Sequence, residues 1–173
     1  VIQMLENLLS PEDCSKCPDK CCKFTDPSHL PILTETEFKN IHKDGIAYNQ
    51  LGNLFQLKSS EINSEGKTVC PFLVENKGCE LKHHPFECEI WPFYVMRFSG
   101  NVVIAVSPNC PAVNGKRFED IQKTVNDGLS DCILGMIKEY PGLIEDYYDN
   151  AVIIKVIGEE TVTEGKKIFL PKE

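Results

Sequence analysis

Nine cysteines in 173 residues constrain this chain more than any other feature. Four fall within nine positions, as Cys14-x2-Cys17-x3-Cys21-Cys22. Four more are dispersed at Cys70, Cys79, Cys88 and Cys110, with eight residues between each of the first three. An odd count fits poorly with a closed disulfide framework, and disulfide-dense domains are usually small domains without a sufficient core. Here 42% of residues are apolar, enough to bury a core without staples. Clustered thiols in such a chain point to metal ligation. Two thiolates held close together repel unless protons or a cation neutralise them, and a metal does so while favouring the deprotonated form. The expected ligand pool is therefore Cys14, Cys17, Cys21, Cys22, Cys70, Cys79, Cys88 and Cys110. A reactive dithiol at Cys14-x2-Cys17 is the competing reading of the first cluster.

Eight ligands suggest two four-ligand centres, or one larger cluster with spares. Neighbouring residues seldom direct both side chains at one small ion, so Cys21 and Cys22 are expected to serve separate centres, or one cluster and its edge. All-thiolate sites suit zinc and iron–sulfur clusters alike, and the expected cofactor is an iron–sulfur cluster of the 4Fe-4S type or zinc. Cys17, Cys70 and Cys110 precede proline, as ligands in bacterial ferredoxins do, which tilts the choice slightly to iron–sulfur. Cys132 lies on an apolar helical face and reads as core. His83 and His84 sit between Cys79 and Cys88, and read as solvated loop residues before they read as ligands or outer donors. His29 and His42 read as ordinary polar residues. His84 to Phe93 is dense in aromatics and prolines and reads as a hydrophobic wall packed beside the metal, with a ligand pocket there as the alternative. Arg97 reads as a salt-bridge partner before an anion binder.

The net charge of −8 argues against a nucleic-acid surface, which needs clustered Lys and Arg. The aliphatic runs are too short to span a bilayer, and Val1 to Leu9 lacks the marks of a secretory signal. The expectation is a cytoplasmic protein with no nucleic-acid or membrane partner; a protein partner stays open.

Local signals predict a mixed α+β fold, a small domain of short helices and β-hairpins organised around cysteine-ligated metal. Ser10-Pro11-Glu12-Asp13 reads as a helix start, with an end at Pro18. Pro27 and Pro31 bracket an extended linker. Thr34-Glu35-Thr36-Glu37 is a capping box opening a helix to about Lys43. Residues 46–66 are polar, with one strand expected at Leu54 to Lys58. Lys67 to Val74 reads as a strand, with a turn at Asn76-Lys77-Gly78. Trp91 to Phe98 and Asn101 to Val106 read as a hairpin about Ser99-Gly100. Helices are expected over Phe118 to Asn126 and Leu129 to Tyr140, interrupted at Pro141-Gly142, and a terminal hairpin over Ala151 to Ile157 and Lys167 to Leu170. The chain reads as one domain over 1–173, with a metal-binding core at 14–115 and a helical and β extension at 116–173.

Several pieces together resemble a known family. They are Cys14 to Cys22, Ile32-Leu33-Thr34 to Phe38, Cys70-Pro71-Phe72-Leu73, Gly78-Cys79, Pro85 with Cys88, Pro92-Phe93 and Cys110-Pro111. Their order is similar to the CxxCxxCC cysteine-cluster family of zinc- or iron-chelating proteins, over about residues 14–115. Two positions that often hold arginine in that family are His84 and Glu89 here. Flagellin lysine-N-methylases are similar in carrying such a cluster. The resemblance implies a metal-binding protein with a structural or electron-transfer role. A metal-dependent protein-modifying enzyme, such as a lysine methylase or oxidoreductase, is the alternative. No Ser-His-Asp pattern, phosphate loop, glycine-rich nucleotide loop or His-Glu-x-x-His motif is present, so whether the chain is an enzyme, and with which catalytic residues, stays open.

Overall fold

A computed structural model describes Leu5 and residues 8–10, 12–13, 21–74, 78–148, 150–163 and 166–172. It is a mixed α+β structure, as expected. The chain divides into two compact units, Pro18–Glu89 on one side and Val1–Cys17 with Ile90–Glu173 on the other. That division cuts across the expected blocks of 14–115 and 116–173.

The Pro18–Glu89 unit begins with β1 (Lys23–Phe24), which pairs antiparallel with β5 (Thr68–Val69). A three-stranded antiparallel sheet follows, in the order β2 (Ile32–Thr34), β4 (Leu54–Lys58), β3 (Ala47–Leu51). Between β2 and β3 runs helix α1 (Glu35–Ile41). Its start is the predicted capping box. The Thr34 hydroxyl accepts from the Glu37 amide at 3.3 Å, and the Glu37 carboxylate accepts from the Thr34 amide at 2.7 Å. Phe38 of α1 stacks on Phe55 of β4, with ring centroids 4.0 Å apart, and meets Tyr48 of β3 edge-on. Beneath lies a buried cluster of Leu30, Leu33, Leu57, Cys70 and Phe72. The predicted strand from Lys67 to Val74 is broken at Cys70-Pro71-Phe72 into β5 and β6 (Leu73–Val74), because proline cannot donate to a ladder. β6 pairs with β7 (Gly78–Cys79), and the turn predicted between them falls mostly outside the described residues. The span between Pro27 and Pro31 is a 3-10 turn over Pro27–His29 rather than a purely extended linker. Helix α2 (Phe86–Ile90) closes the unit.

The larger unit is built on a five-stranded sheet ordered β10 (Glu145–Asp146), β8 (Phe93–Phe98), β9 (Asn101–Val106), β11 (Val152–Thr163), β12 (Lys166–Pro171). β8 and β9 form the predicted hairpin, with Phe98 opposite Asn101. Ser99 and Gly100 both take positive φ, as a tight two-residue turn of this hand requires. All of β9 from Val102 to Val106 is buried, as a central strand covered on both faces should be. One face carries Met96, Val103, Ala105 and Ala151, with Tyr94, Tyr147, Tyr148 and Ile153 packed against them. Helix α3 (Pro111–Asn114) follows β9, and then α4 (Phe118–Thr124) and α5 (Ser130–Glu139). Ile121, Val125, Leu129, Ile133 and Ile137 recur at near-helical spacing and are all buried. The turn that joins α4 to α5 is widened at Val125–Leu129, where Gly128 has φ 124°. A residue with a Cβ would be strained there. Lys155 of β11 donates to the Ser130 hydroxyl at the start of α5, at 3.1 Å.

Ser10 caps as predicted. Its hydroxyl accepts from the Asp13 amide at 3.1 Å and the Asp13 carboxylate accepts from the Ser10 amide at 3.0 Å. The expected end of that helix at Pro18 lies outside the described residues. Arg97 is an ion-pair residue, reaching both carboxylate oxygens of Glu160 from Nε at 2.8 and 2.9 Å and donating through Nη1 to the Ile144 carbonyl.

Glu145 of β10 supplies a pH-dependent contribution. Burial pushes its carboxyl up from 4.5 to about 7, against a hydrogen bond from Tyr148 that opposes the shift. The folded state therefore holds a proton that the unfolded state releases. Stability should be greatest below about pH 4.5, fall as pH rises towards 7, and level off above it. Glu145→Gln should remove that slope. At pH 8 it should be more stable than the parent by about 1–3 kcal/mol, and at pH 4 equal to it. Denaturant unfolding at the two pH values checks this; equal effects at both would refute it.

Candidate metal centre

The ladder of β1 on β5 decides the site. Lys23 lies opposite Val69 and Phe24 opposite Thr68, so the next pair outward is Cys22 and Cys70. The Cys70 amide donates to the Cys22 carbonyl at 2.8 Å, which extends the ladder by that pair. Cys21 precedes it on a turn, and there both neighbouring thiols reach the same place. The Cys22 sulfur is in hydrogen-bond contact with the sulfurs of Cys21 and of Cys70. The Cys21 and Cys22 sulfurs thus lie in contact with each other.

Cys79 comes to the same region by a second ladder. It lies opposite Leu73, three residues beyond Cys70, and the Glu80 amide donates to the Phe72 carbonyl at 2.9 Å. Cys22, Cys70 and Cys79 all belong to the cluster about Leu33 and Phe72. Cys88 is carried by α2, and two carboxylates anchor that helix. Glu87 accepts from the Ile32 amide at 2.8 Å. Glu37, already closing the α1 capping box, uses its other oxygen to accept from the Phe86 amide at 2.7 Å. One side chain therefore starts α1 and positions the helix that bears Cys88.

Charge couples these thiols. Hydrogen bonds to Cys21 and then to Cys70 hold the Cys22 thiol well above its usual range, so Cys22 keeps its proton. The same contact with Cys22 is the main cause lowering Cys21 and Cys70; the Phe72 amide also favours the Cys70 thiolate. Burial, foremost, raises Cys79, and the charges of Cys70, Cys21 and Glu80 add to it. Burial likewise pushes Cys88 far up, helped by Cys70, Glu87, Cys21 and Cys79. Cys22 touches Cys21 and Cys70, and the charges of Cys21 and Cys70 reach both Cys79 and Cys88. A divalent cation or an iron–sulfur cluster is the kind of group that relieves such crowding, and the donor set is chemically suited to either. As the side chains stand, no three His, Cys, Asp or Glu residues among the described ones form a ready-made metal site. Cys21, Cys22 and Cys70 are arranged as hydrogen-bonded neighbours, and side-chain rotation would have to precede ligation.

The other expected ligands divide differently. Cys14 and Cys17 lie outside the described residues. Cys110 belongs to the larger unit, where it is buried and its carbonyl accepts from the Val113 amide at 3.1 Å at the start of α3. Cys132 is half-buried on α5 rather than fully in the core. His83 and His84 are exposed, as expected of loop residues. In the segment from His84 to Phe93, Pro85, Phe86, Ile90, Pro92 and Phe93 are buried, while His84 is exposed.

The sequence reading missed Glu37 as an anchor of α2 and missed Glu87 altogether. The signal for Glu37 was its capping-box position, which says nothing of its second oxygen. Tyr48, in a stretch that reads as polar loop, packs against the same cluster and feels the charge of Cys70.

No family model, no curated protein and no solved structure matches this chain. Among the described residues no helix is long and apolar enough to cross a membrane.

Glu37→Ala should cost about 2–3 kcal/mol of stability, since three donors lose their acceptor. Thr34→Ala should cost about 1 kcal/mol, the usual loss of a cap. Hydrogen exchange separates the two. Glu37→Ala should expose the Phe86 amide, while Thr34→Ala should leave it protected.

Proposed function

We propose that the Pro18–Glu89 unit is a thiolate metal centre that holds zinc or an iron–sulfur cluster through Cys21, Cys22, Cys70, Cys79 and Cys88. Cys14, Cys17 and Cys110 are the other members of the expected pool. The role is structural or electron-carrying, and the setting is the cytoplasm. The supporting observation is the convergence of five cysteines, from four separate segments, into one electrostatically coupled group. Thiols pushed up by burial and by each other's charge are expensive as thiolates. A cation offsets that cost, because it favours the deprotonated form of each ligand. Bound zinc would supply a fixed positive charge tying β1, β5, β7 and α2 together. A bound cluster would add one-electron chemistry. The order of pieces that resembles the cysteine-cluster family supports the same reading.

Anaerobically purified protein should carry iron with sulfide, or zinc, at near-stoichiometric level by elemental analysis, and visible absorption separates the two. Cys70→Ser should lower the bound metal at least about tenfold, given a ligand lost from the middle of the group. Cys132→Ser, on a helix of the other unit, should leave the content unchanged. A folded protein with no metal under these conditions sinks the proposal.

A further inference from the structure

The register of β1 on β5 does something that ligation does not require. It sets Cys22 opposite Cys70 just beyond the ends of the two antiparallel strands, joined by a 2.8 Å backbone hydrogen bond. Directly opposed residues of such a pair have Cα atoms about 5.5 Å apart or less, inside the span that a disulfide bridges. The two sulfurs are already in hydrogen-bond contact. Cys21 touches the Cys22 sulfur too, but it is the adjacent residue, and a ring closed between neighbours strains the peptide that joins them.

We propose that Cys22 and Cys70 form an oxidation site, a dithiol that takes a hydroperoxide as its two-electron oxidant and closes to a cross-strand disulfide. Within the pair Cys22 is half-buried and Cys70 is 6% exposed, so the oxidant reaches Cys22 before Cys70, and the exposed Cys21 beside it serves as proton acceptor. The Cys22 sulfur attacks the peroxide, and its proton passes by way of the neighbouring Cys21 or Cys70 sulfur to the departing oxygen. The O–O bond breaks, giving a sulfenic acid on Cys22 and releasing one alcohol, or water when the oxidant is hydrogen peroxide. The Cys70 sulfur then attacks the Cys22 sulfur. The S–S bond forms, the S–O bond breaks and the hydroxyl leaves as water with the remaining proton. Each sulfur gives up one electron and the peroxide accepts two. The burial that hinders Cys70 from meeting the oxidant does not hinder it from meeting Cys22.

This site needs no metal, and its failure is separable from that of the metal centre. Metal-free full-length protein, prepared with a chelator under argon, is treated with hydrogen peroxide, blocked with iodoacetamide and cut with trypsin without reduction. Cleavage after Lys20, Lys23, Lys67 and Lys77 places Cys21 and Cys22 on residues 21–23 and Cys70 alone on residues 68–77. The expected product is those two peptides joined, with two hydrogens lost, and separated again by dithiothreitol. The join should persist in Cys21→Ser and vanish in Cys22→Ser. Zinc added before the peroxide should slow it about tenfold, as ligated sulfur loses its free lone pair to the metal. A join that survives in Cys22→Ser, a bond within residues 21–23, or a dominant disulfide from either residue to another cysteine overturns the proposal. So does over-oxidation without any disulfide. If the join forms in protein that never binds zinc or iron, the oxidation site stands and the metal centre falls. If metal binds at near-stoichiometric level and no join forms without it, the reverse holds.

Discussion

Two short pairs of residues register Cys22 against Cys70 in the Pro18–Glu89 unit. β1 meets β5 over Lys23–Val69 and Phe24–Thr68, and that ladder registers the second half of the N-terminal cysteine group against Cys70. Closing the intervening loop of about forty residues costs about 3 kcal/mol in chain entropy. A ladder of two residue pairs cannot meet that cost with backbone hydrogen bonds, whose net worth is about 1 kcal/mol each. The hydrophobic cluster of Leu30, Leu33, Leu57 and Phe72 meets it instead. Cys70 is itself a member of that cluster, 6% exposed. The thiol site is therefore placed by the core and only registered by the ladder. A change that loosened Leu33 or Phe72 would move the thiols as surely as a change in β1.

The same packing sets the electrostatics. Burial alone favours the neutral thiol, and every further thiolate nearby reinforces that preference. Cys88 carries both effects to the greatest degree, lying on a helix beside Glu87 and within reach of three other sulfurs. The group resolves the conflict by sharing protons: Cys22 retains its own and steadies the charge on Cys21 and Cys70. Proton sharing and metal ligation are two answers to one problem of crowded sulfur, and oxidation of Cys22 with Cys70 is a third. Each removes negative charge from a place with little water to solvate it.

Elements with a local chemical signature were legible in the sequence. The α1 capping box, the β8–β9 hairpin about Ser99-Gly100 and the apolar spacing of α4 and α5 were all read from residues within a few positions of each other. β4 was legible for the same reason. β3 was not, because four of its five residues are exposed and no alternation marks it. The two-residue Gly52-Asn53 turn into β4 was its only local sign. β10 has two residues and pairs in parallel with β8, so its existence depends on a partner some fifty positions away. β11 runs to twelve residues, well past its apolar half, because β12 pairs with its polar end. For the site, residue types were legible and grouping was not. Spacing treated Cys110 as fourth of the dispersed set, whereas it lies in the unit that begins again at Ile90. No count of intervening residues carries that information, since it depends on which core each segment joins.

Adjacency at Cys21-Cys22 shows why pattern alone misleads there. On a continuous strand successive side chains point to opposite faces, and from that rule the two thiols belong to different sites. The rule fails because the strand begins only at Lys23. Both cysteines sit on the turn before it, where backbone direction changes within one residue, and their sulfurs come into contact. Moving the start of β1 two residues earlier would separate them and leave Cys70 with one neighbour in place of a connected pair. The boundary between turn and ladder, more than the number of cysteines, thus determines how many sulfurs share the charge at this place. That boundary is held from outside the motif, by Phe24 packing on the cluster that contains Leu33 and Phe72.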